Sequence, residues 1–233
     1  MKVIILAGGF GTRLSEYTDN LPKPMVPIAD KPIIEHIMMI YSKFGLNNFI
    51  VALGYKGDKI KSHFNKINHK WNIELVDTGA ETLTGGRIKR LESFVGNENF
   101  CLTYGDGLSD ININNLIKFH QSHKKLLTVT AVRPPARFGS LEINSDNSVV
   151  EFNEKIDKGD NWINGGFFVA SPKIFNFIKG DNTIFEKEPL ENLSKIGELK
   201  AFKHFGFWQC MDHKIDKEIL DKMASKKPPI WLK

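Results

Sequence analysis

Residues Val3–Ala7 make an uninterrupted apolar run that ends at Gly8-Gly9. A run without polar alternation suits a strand buried on both faces, as in a sheet covered by helices on each side. It is too short for the apolar core of a signal peptide and passes straight into glycine, so it is expected to stay as the first strand. The chain keeps this rhythm. Lys31-Pro32 sets a proline at the first turn of a helix, with Ile33, Ile34, Ile37, Ile40, Tyr41 and Phe44 at helical spacing and Gly45 ending it. Strands are expected at 49–53, 73–76, 100–104 and 126–132, and helices at 56–64, 87–95 and 112–123. This alternation predicts an α/β fold, an open sheet with helices on both faces. Beyond Pro134, short strands at 141–143, 149–153 and 163–170 suggest a mixed or antiparallel extension. No linker or internal repeat divides the chain, so residues 1–233 are expected to form one domain.

Composition excludes several classes. With 41% hydrophobic and 25% charged residues the chain has the balance of a soluble globular enzyme. No apolar run approaches the roughly 18 residues needed to span a membrane. Two cysteines, Cys101 and Cys210, fit neither a disulfide framework nor a zinc site, and buried, reduced thiols in a cytoplasmic protein are expected. The net charge of +5 comes from scattered lysines without a basic stripe, which disfavours nucleic acid as a partner. Only Arg13, Arg87, Arg90, Arg133 and Arg137 are arginines. In so lysine-rich a chain, some of them are candidates for a planar donor fork on phosphate.

Directly after the first strand comes Leu6-Ala7-Gly8-Gly9-Phe10-Gly11-Thr12-Arg13. Glycines at a strand end let backbone N–H groups approach an anion, and Arg13 adds charge. Pro22-Lys23-Pro24 then fixes a lysine between two prolines. A triphosphate attacked at its α-phosphorus needs its leaving phosphates neutralised, a task for Arg13 and Lys23. The loop lacks the G-x-G-x-x-G spacing of dinucleotide folds and the Gly-Lys-Ser/Thr ending of a P-loop.

Tyr104-Gly105-Asp106-Gly107 puts a carboxylate at a strand end, where α/β sheets bind ligands. Asp106 is the first candidate ligand for a magnesium ion bridging phosphates. A second carboxylate is available at Asp212, which serves equally well as an N-cap for a helix around 216–223. Thr78, Thr84, Gly85 and Arg87 lie in a glycine-rich segment suited to a flat base or a phosphate, with a helix N-terminus at Arg87 favouring anions. Gly139, Glu154, Lys155, Asn164, Gly165 and Glu188 are suitable partners for sugar hydroxyls and, at Lys155, for an acceptor phosphate. Each of these alone would ordinarily be structural.

Taken together, the Gly-Gly-x-Gly-Thr-Arg loop, Pro-Lys-Pro, Gly-Asp-Gly, the Glu-Lys pair and the late Asp resemble the sugar nucleotidyltransferases, nearly end to end. Within that group, Val76-Asp77-Thr78-Gly79 with Thr84-Gly85-Gly86-Arg87, Arg137-Phe138-Gly139, Ile163-Asn164-Gly165-Gly166 and Gly206-Phe207-Trp208-Gln209 are most similar to members that use CTP and glucose 1-phosphate. The resemblance implies a Rossmann-like mixed sheet of the nucleotide-diphospho-sugar transferase type. Residues 1–133 would form its nucleotide-binding part, and 134–233 its acceptor-binding part with a C-terminal helix. It implies Arg13, Lys23 and Asp106 as catalytic residues and magnesium on Asp106 and Asp212. Nucleotide contacts would come from Leu6, Ala7, Gly8, Gly9, Gly11, Thr12, Arg13, Lys23, Thr78, Thr84, Gly85, Arg87 and Gly105. Sugar contacts would come from Gly139, Glu154, Lys155, Asn164 and Gly165. It implies direct attack without a covalent intermediate, in a homo-oligomer. A different base or acceptor, or a silent nucleotide-sugar-binding subunit, are the alternatives.

Overall fold

The computed structural model describes residues 1–134, 140–153 and 161–233. Seven strands form the central sheet: β1 (Val3–Ala7), β2 (Asn48–Leu53), β3 (Asn72–Asp77), β4 (Phe100–Tyr104), β5 (Leu127–Val132), β6 (Ile163–Ala170) and β7 (Leu199–Lys203). Their spatial order is β7-β5-β6-β4-β1-β2-β3. The main helices are α1 (Ile33–Ser42), α2 (Gly57–Phe64), α3 (Thr84–Lys89), α4 (Ile113–His123), α5 (Glu188–Lys195) and α6 (Lys214–Ala224).

All five residues of β1 are buried, as its unbroken apolar run predicts. The pleat sends them to opposite faces. Val3, Ile5 and Ala7 join a cluster with Ile33, Ile37 and Tyr41 of α1. Ile4 and Leu6 join a second cluster with Ile88 of α3, Ile174 and Phe175. The sheet is therefore a wall between two cores, each buried branched side chain contributing roughly 1.5–3 kcal/mol.

Strands β3, β2, β1 and β4 are parallel neighbours. From β1 the chain builds outward through β2 to β3, and then returns to place β4 on the other side of β1. Loops after β1 and β4 consequently diverge and leave a crevice at the carboxyl ends of the strands. Strand β6 enters the sheet between β4 and β5 and runs antiparallel to both, instead of joining an outlying extension. Its reversed direction brings its first residues, Ile163 and Asn164, to the same edge where β4 and β5 end. Of the strands expected beyond Pro134, those at 140–143 and 149–153 pair with each other apart from the sheet.

A single helix expected at 87–95 is instead two short ones, Thr84–Lys89 and Glu92–Val95. The first starts earlier, at Thr84, and its Gly85 and Gly86 pack against Thr183 and Asp181, too closely for a β-carbon. No helix among the described residues is long and apolar enough to cross a membrane.

Beneath the sheet, His120 is buried, with Nδ1 2.9 Å from the Thr128 hydroxyl, which also lies 2.8 Å from His123 Nε2. Burial, and secondarily His123, lowers the His120 imidazole from 6.5 to about 4. The folded protein thus holds it neutral while an unfolded chain takes up a proton near the ordinary value. Its contribution to stability is complete above pH 6.5 and is lost on acidification toward pH 4. The urea midpoint is expected to fall between pH 7.5 and pH 5, and to fall less in His120→Gln; an equal fall in both would contradict this assignment.

Candidate active site

Strand β4 ends at Tyr104, and Gly105-Asp106 opens into the crevice. A short antiparallel ribbon pairs 107–109 with 208–210, and Met211 N–H donates to the Asp106 carbonyl at 2.9 Å. The ribbon thereby delivers Asp212 beside Asp106. Lys23, the first residue of a short 3-10 turn, sends its ammonium between them. It donates to Asp106 Oδ2 at 2.6 Å and Asp212 Oδ1 at 2.7 Å, joining segments 83 and 189 positions away. Arg13 Nη1 donates to the other oxygen of Asp212 at 3.0 Å.

Burial would lower the Lys23 ammonium, but the two carboxylates outweigh it and hold its pKa above the ordinary lysine value. Burial likewise raises Asp212, and the hydrogen bond and charge of Lys23, with Arg13, reverse the shift and keep it below the usual carboxylate range. Cys210 also lines the crevice, half-buried rather than buried as expected. Burial and then the charges of Asp212 and Asp106 push its thiol up to about 12, so it stays protonated and is no nucleophile at neutral pH.

The alternative role of Asp212 as a helix cap is settled by its neighbours. His213 is the N-cap of α6. Buried Asp216, inside the first turn, accepts from the backbone N–H groups of Asp212 at 3.0 Å and His213 at 2.8 Å and from Gln209 at 3.0 Å. Asp212 is left with its side chain in the crevice. Two carboxylates that converge on one ammonium also suit a hard divalent cation, which takes oxygen ligands. Among the described residues no group of three or more His, Cys, Asp or Glu side chains could hold a metal, so oxygen atoms of substrate and water would complete such a site.

The crevice has a volume of about 730 Å³. Of the residues singled out in the sequence, Leu6, Ala7, Gly8, Gly9, Gly11, Thr12, Arg13, Lys23, Thr84, Arg87, Gly105, Asp106, Asn164 and Asp212 all line it. Gly11 has φ 66°, the left-handed backbone that starts the Thr12–Leu14 turn and that glycine adopts freely. Gly8 is fixed by close approach: a β-carbon there would lie 2.3 Å from Arg87 Nη1.

Five expectations are corrected. Arg87 is not a free phosphate fork. It is buried, and its terminal nitrogens donate to the carbonyls of Gly8, Leu53, Gly79 and Ala80 and to the Thr78 hydroxyl, at 2.6–3.1 Å. It is a staple between the carboxyl ends of β1, β2 and β3, and it sits within α3 rather than at its start. Thr78 is wholly buried behind the crevice, its hydroxyl donating to Leu53 O at 2.6 Å. Gly85 gives its N–H to Thr183 O at 2.9 Å, and Gly86 does so at 3.3 Å, so the first amides of α3 are not open to an anion. Glu188, the first residue of α5, is turned away to pair with Lys179 at 2.6 Å, on the surface. Gly165 lies behind the wall, its carbonyl accepting from Trp208 Nε1 at 2.7 Å.

Gly139, Glu154 and Lys155 fall outside the described residues. Thr82, Tyr104, Glu186 and Trp208 line the crevice without having been singled out as site residues. Tyr104 and Trp208 stand beside Gly-Asp-Gly and in the Phe-Trp-Gln stretch, a proximity that could have flagged them.

A doubly wound sheet with a glycine loop, a half-buried lysine and paired carboxylates at its switch point defines a nucleotide-binding transferase, and the chain belongs to the nucleotidyl transferase family, whose model matches residues 2–202. It is 46% identical to glucose-1-phosphate cytidylyltransferase of Salmonella typhimurium, over 99% of this chain and 98% of that protein. It is 43% identical to probable glucose-1-phosphate cytidylyltransferase of Bacillus subtilis, over 99% of each. Among solved structures, HddC from Yersinia pseudotuberculosis matches with a TM-score of 0.78 at 29% identity, over 97% of this chain and 99% of that one.

Because the Arg87 guanidinium joins three strand ends, Arg87→Met leaves several buried oxygens without a donor. It is expected to cost at least about 3 kcal/mol of unfolding free energy. Urea denaturation checks this, and a loss below about 1 kcal/mol would mean that water replaces the guanidinium.

Proposed function

We propose that the chain transfers the CMP group of CTP to glucose 1-phosphate, giving CDP-glucose and pyrophosphate. The observation that carries this reading is the meeting of Lys23, Asp106 and Asp212 at the crevice floor beside the Gly8–Arg13 loop. Full-length identity to two cytidylyltransferases supports the choice of base and sugar.

In this reading an oxygen of the acceptor phosphate attacks the α-phosphorus of CTP in line. The new P–O bond forms as the bond to the β-phosphate breaks, and pyrophosphate leaves. Asp106 and Asp212 would hold magnesium, which supplies Lewis-acid stabilisation of the phosphates when bound. Arg13 and Lys23 neutralise negative charge that grows on the phosphates. The backbone of 8–12 cradles the triphosphate, Thr82 and Thr84 lie toward the nucleoside, and Asn164 faces the sugar with Glu154 and Lys155 as its partners. Cytoplasmic location and homo-oligomeric assembly belong to the same reading.

Purified protein with magnesium should release pyrophosphate fastest from CTP with glucose 1-phosphate across a matrix of triphosphates and sugar phosphates. Equal or faster turnover with dTTP or GTP would overturn the cytidine assignment. Lys23→Ala should lower kcat by about a hundredfold or more, whereas Lys155→Ala should chiefly raise the KM for the sugar phosphate. Unchanged kcat in Lys23→Ala would remove that lysine from the phosphates.

A further inference from the structure

Beyond Asp106 and Asp212, Glu81 and Glu186 also line the crevice, and of these Glu186 is the one held by hydroxyl groups. Glu186 is half-buried and lies just before α5. Its Oε1 accepts from the Tyr104 hydroxyl at 2.6 Å and its Oε2 from the Thr84 hydroxyl at 2.6 Å. The direction of each bond is fixed by the next one out. Asn164 Oδ1 accepts from Gly166 N–H at 2.8 Å, which turns its Nδ2 to donate to the Tyr104 oxygen at 3.1 Å. The Thr84 oxygen accepts from Phe185 N–H at 2.9 Å, so its one proton is free for Glu186.

The carboxylate is therefore anchored by both oxygens yet uses only about half of its roughly four acceptor positions. Among the described residues no ammonium or guanidinium pairs with it, in contrast to Asp106 and Asp212. An anion at this wall repels phosphate and favours an uncharged group rich in hydrogen-bond donors. Its two anchors place it where the halves of the crevice meet: Thr84 lies on the side assigned above to the nucleoside, and Tyr104, two residues before Asp106, is held by Asn164 near the start of β6, on the side assigned to the sugar. We infer that Glu186 accepts hydrogen bonds from hydroxyls of the transferred sugar and thereby helps set which sugar phosphate is used. This inference rests on the reaction proposed above.

Glu186→Gln keeps the shape and removes the charge. With CTP and glucose 1-phosphate it should raise the KM for the sugar phosphate by about tenfold or more, the weight of a hydrogen bond to a charged group, and leave the KM for CTP within about twofold. A panel of monodeoxy sugar phosphates locates the contact. Wild type should discriminate against at least one of them by about tenfold or more, and Glu186→Gln should reduce that discrimination to about twofold. The panel is built on whichever sugar phosphate wild type turns over fastest. Failure of the glucose assignment would then appear in wild type alone and leave the comparison standing. Should Glu186→Gln not fold, Glu186→Asp, which withdraws the carboxylate, serves in its place. A rise confined to the KM for CTP would make Glu186 a nucleotide contact, and identical discrimination in both enzymes would make it purely structural. Either result overturns the inference.

Discussion

One ammonium between two carboxylates organises this molecule. Like charges on Asp106 and Asp212 could not stand so close without a cation, and Lys23 supplies one at 2.6 and 2.7 Å. Each member arrives by a different device. A strand end presents Asp106, a proline-flanked turn presents Lys23, and a two-stranded ribbon locked by Met211 N–H presents Asp212. The sheet order matters because it opens the crevice at the same place: β2 and β3 lie on one side of β1 and β4 on the other.

Around this centre the loops are held by buried groups that do not themselves carry chemistry. Arg87 gathers carbonyls from the ends of three strands, and burial, then the charge of Arg90, lowers its pKa. Asp216 does the same for the Asp212 backbone with a carboxylate. The crevice wall is thus preorganised from behind, which suits a reaction whose catalysis depends on positioning and on charge.

Much of this was legible in the residues. The unbroken run at Val3–Ala7, the proline-led helix α1 and the glycine loop each follow from a local rule, and the structure agrees with all three. The paired carboxylates were legible because strand ends are where such folds bind ligands. What was not legible depends on direction. Glu186 and Glu188 are two positions apart, and only the tertiary setting turns one into the crevice and the other out to Lys179. Arg87, Thr78 and Gly85 resemble phosphate and base contacts in sequence, yet their donors are taken by Gly8, Leu53 and Thr183. The insertion of β6 between β4 and β5 is a long-range pairing with no local signature.

The decisive question is whether Asp106 and Asp212 act as one divalent-cation site on the substrate phosphates. Manganese binding, followed by electron paramagnetic resonance in the presence of a non-hydrolysable CTP analogue, answers it without relying on turnover. Wild type should hold the ion tightly, and Asp106→Asn and Asp212→Asn should each weaken it by about tenfold or more. Undiminished manganese affinity in either variant, with the fold intact by circular dichroism, would contradict a shared site.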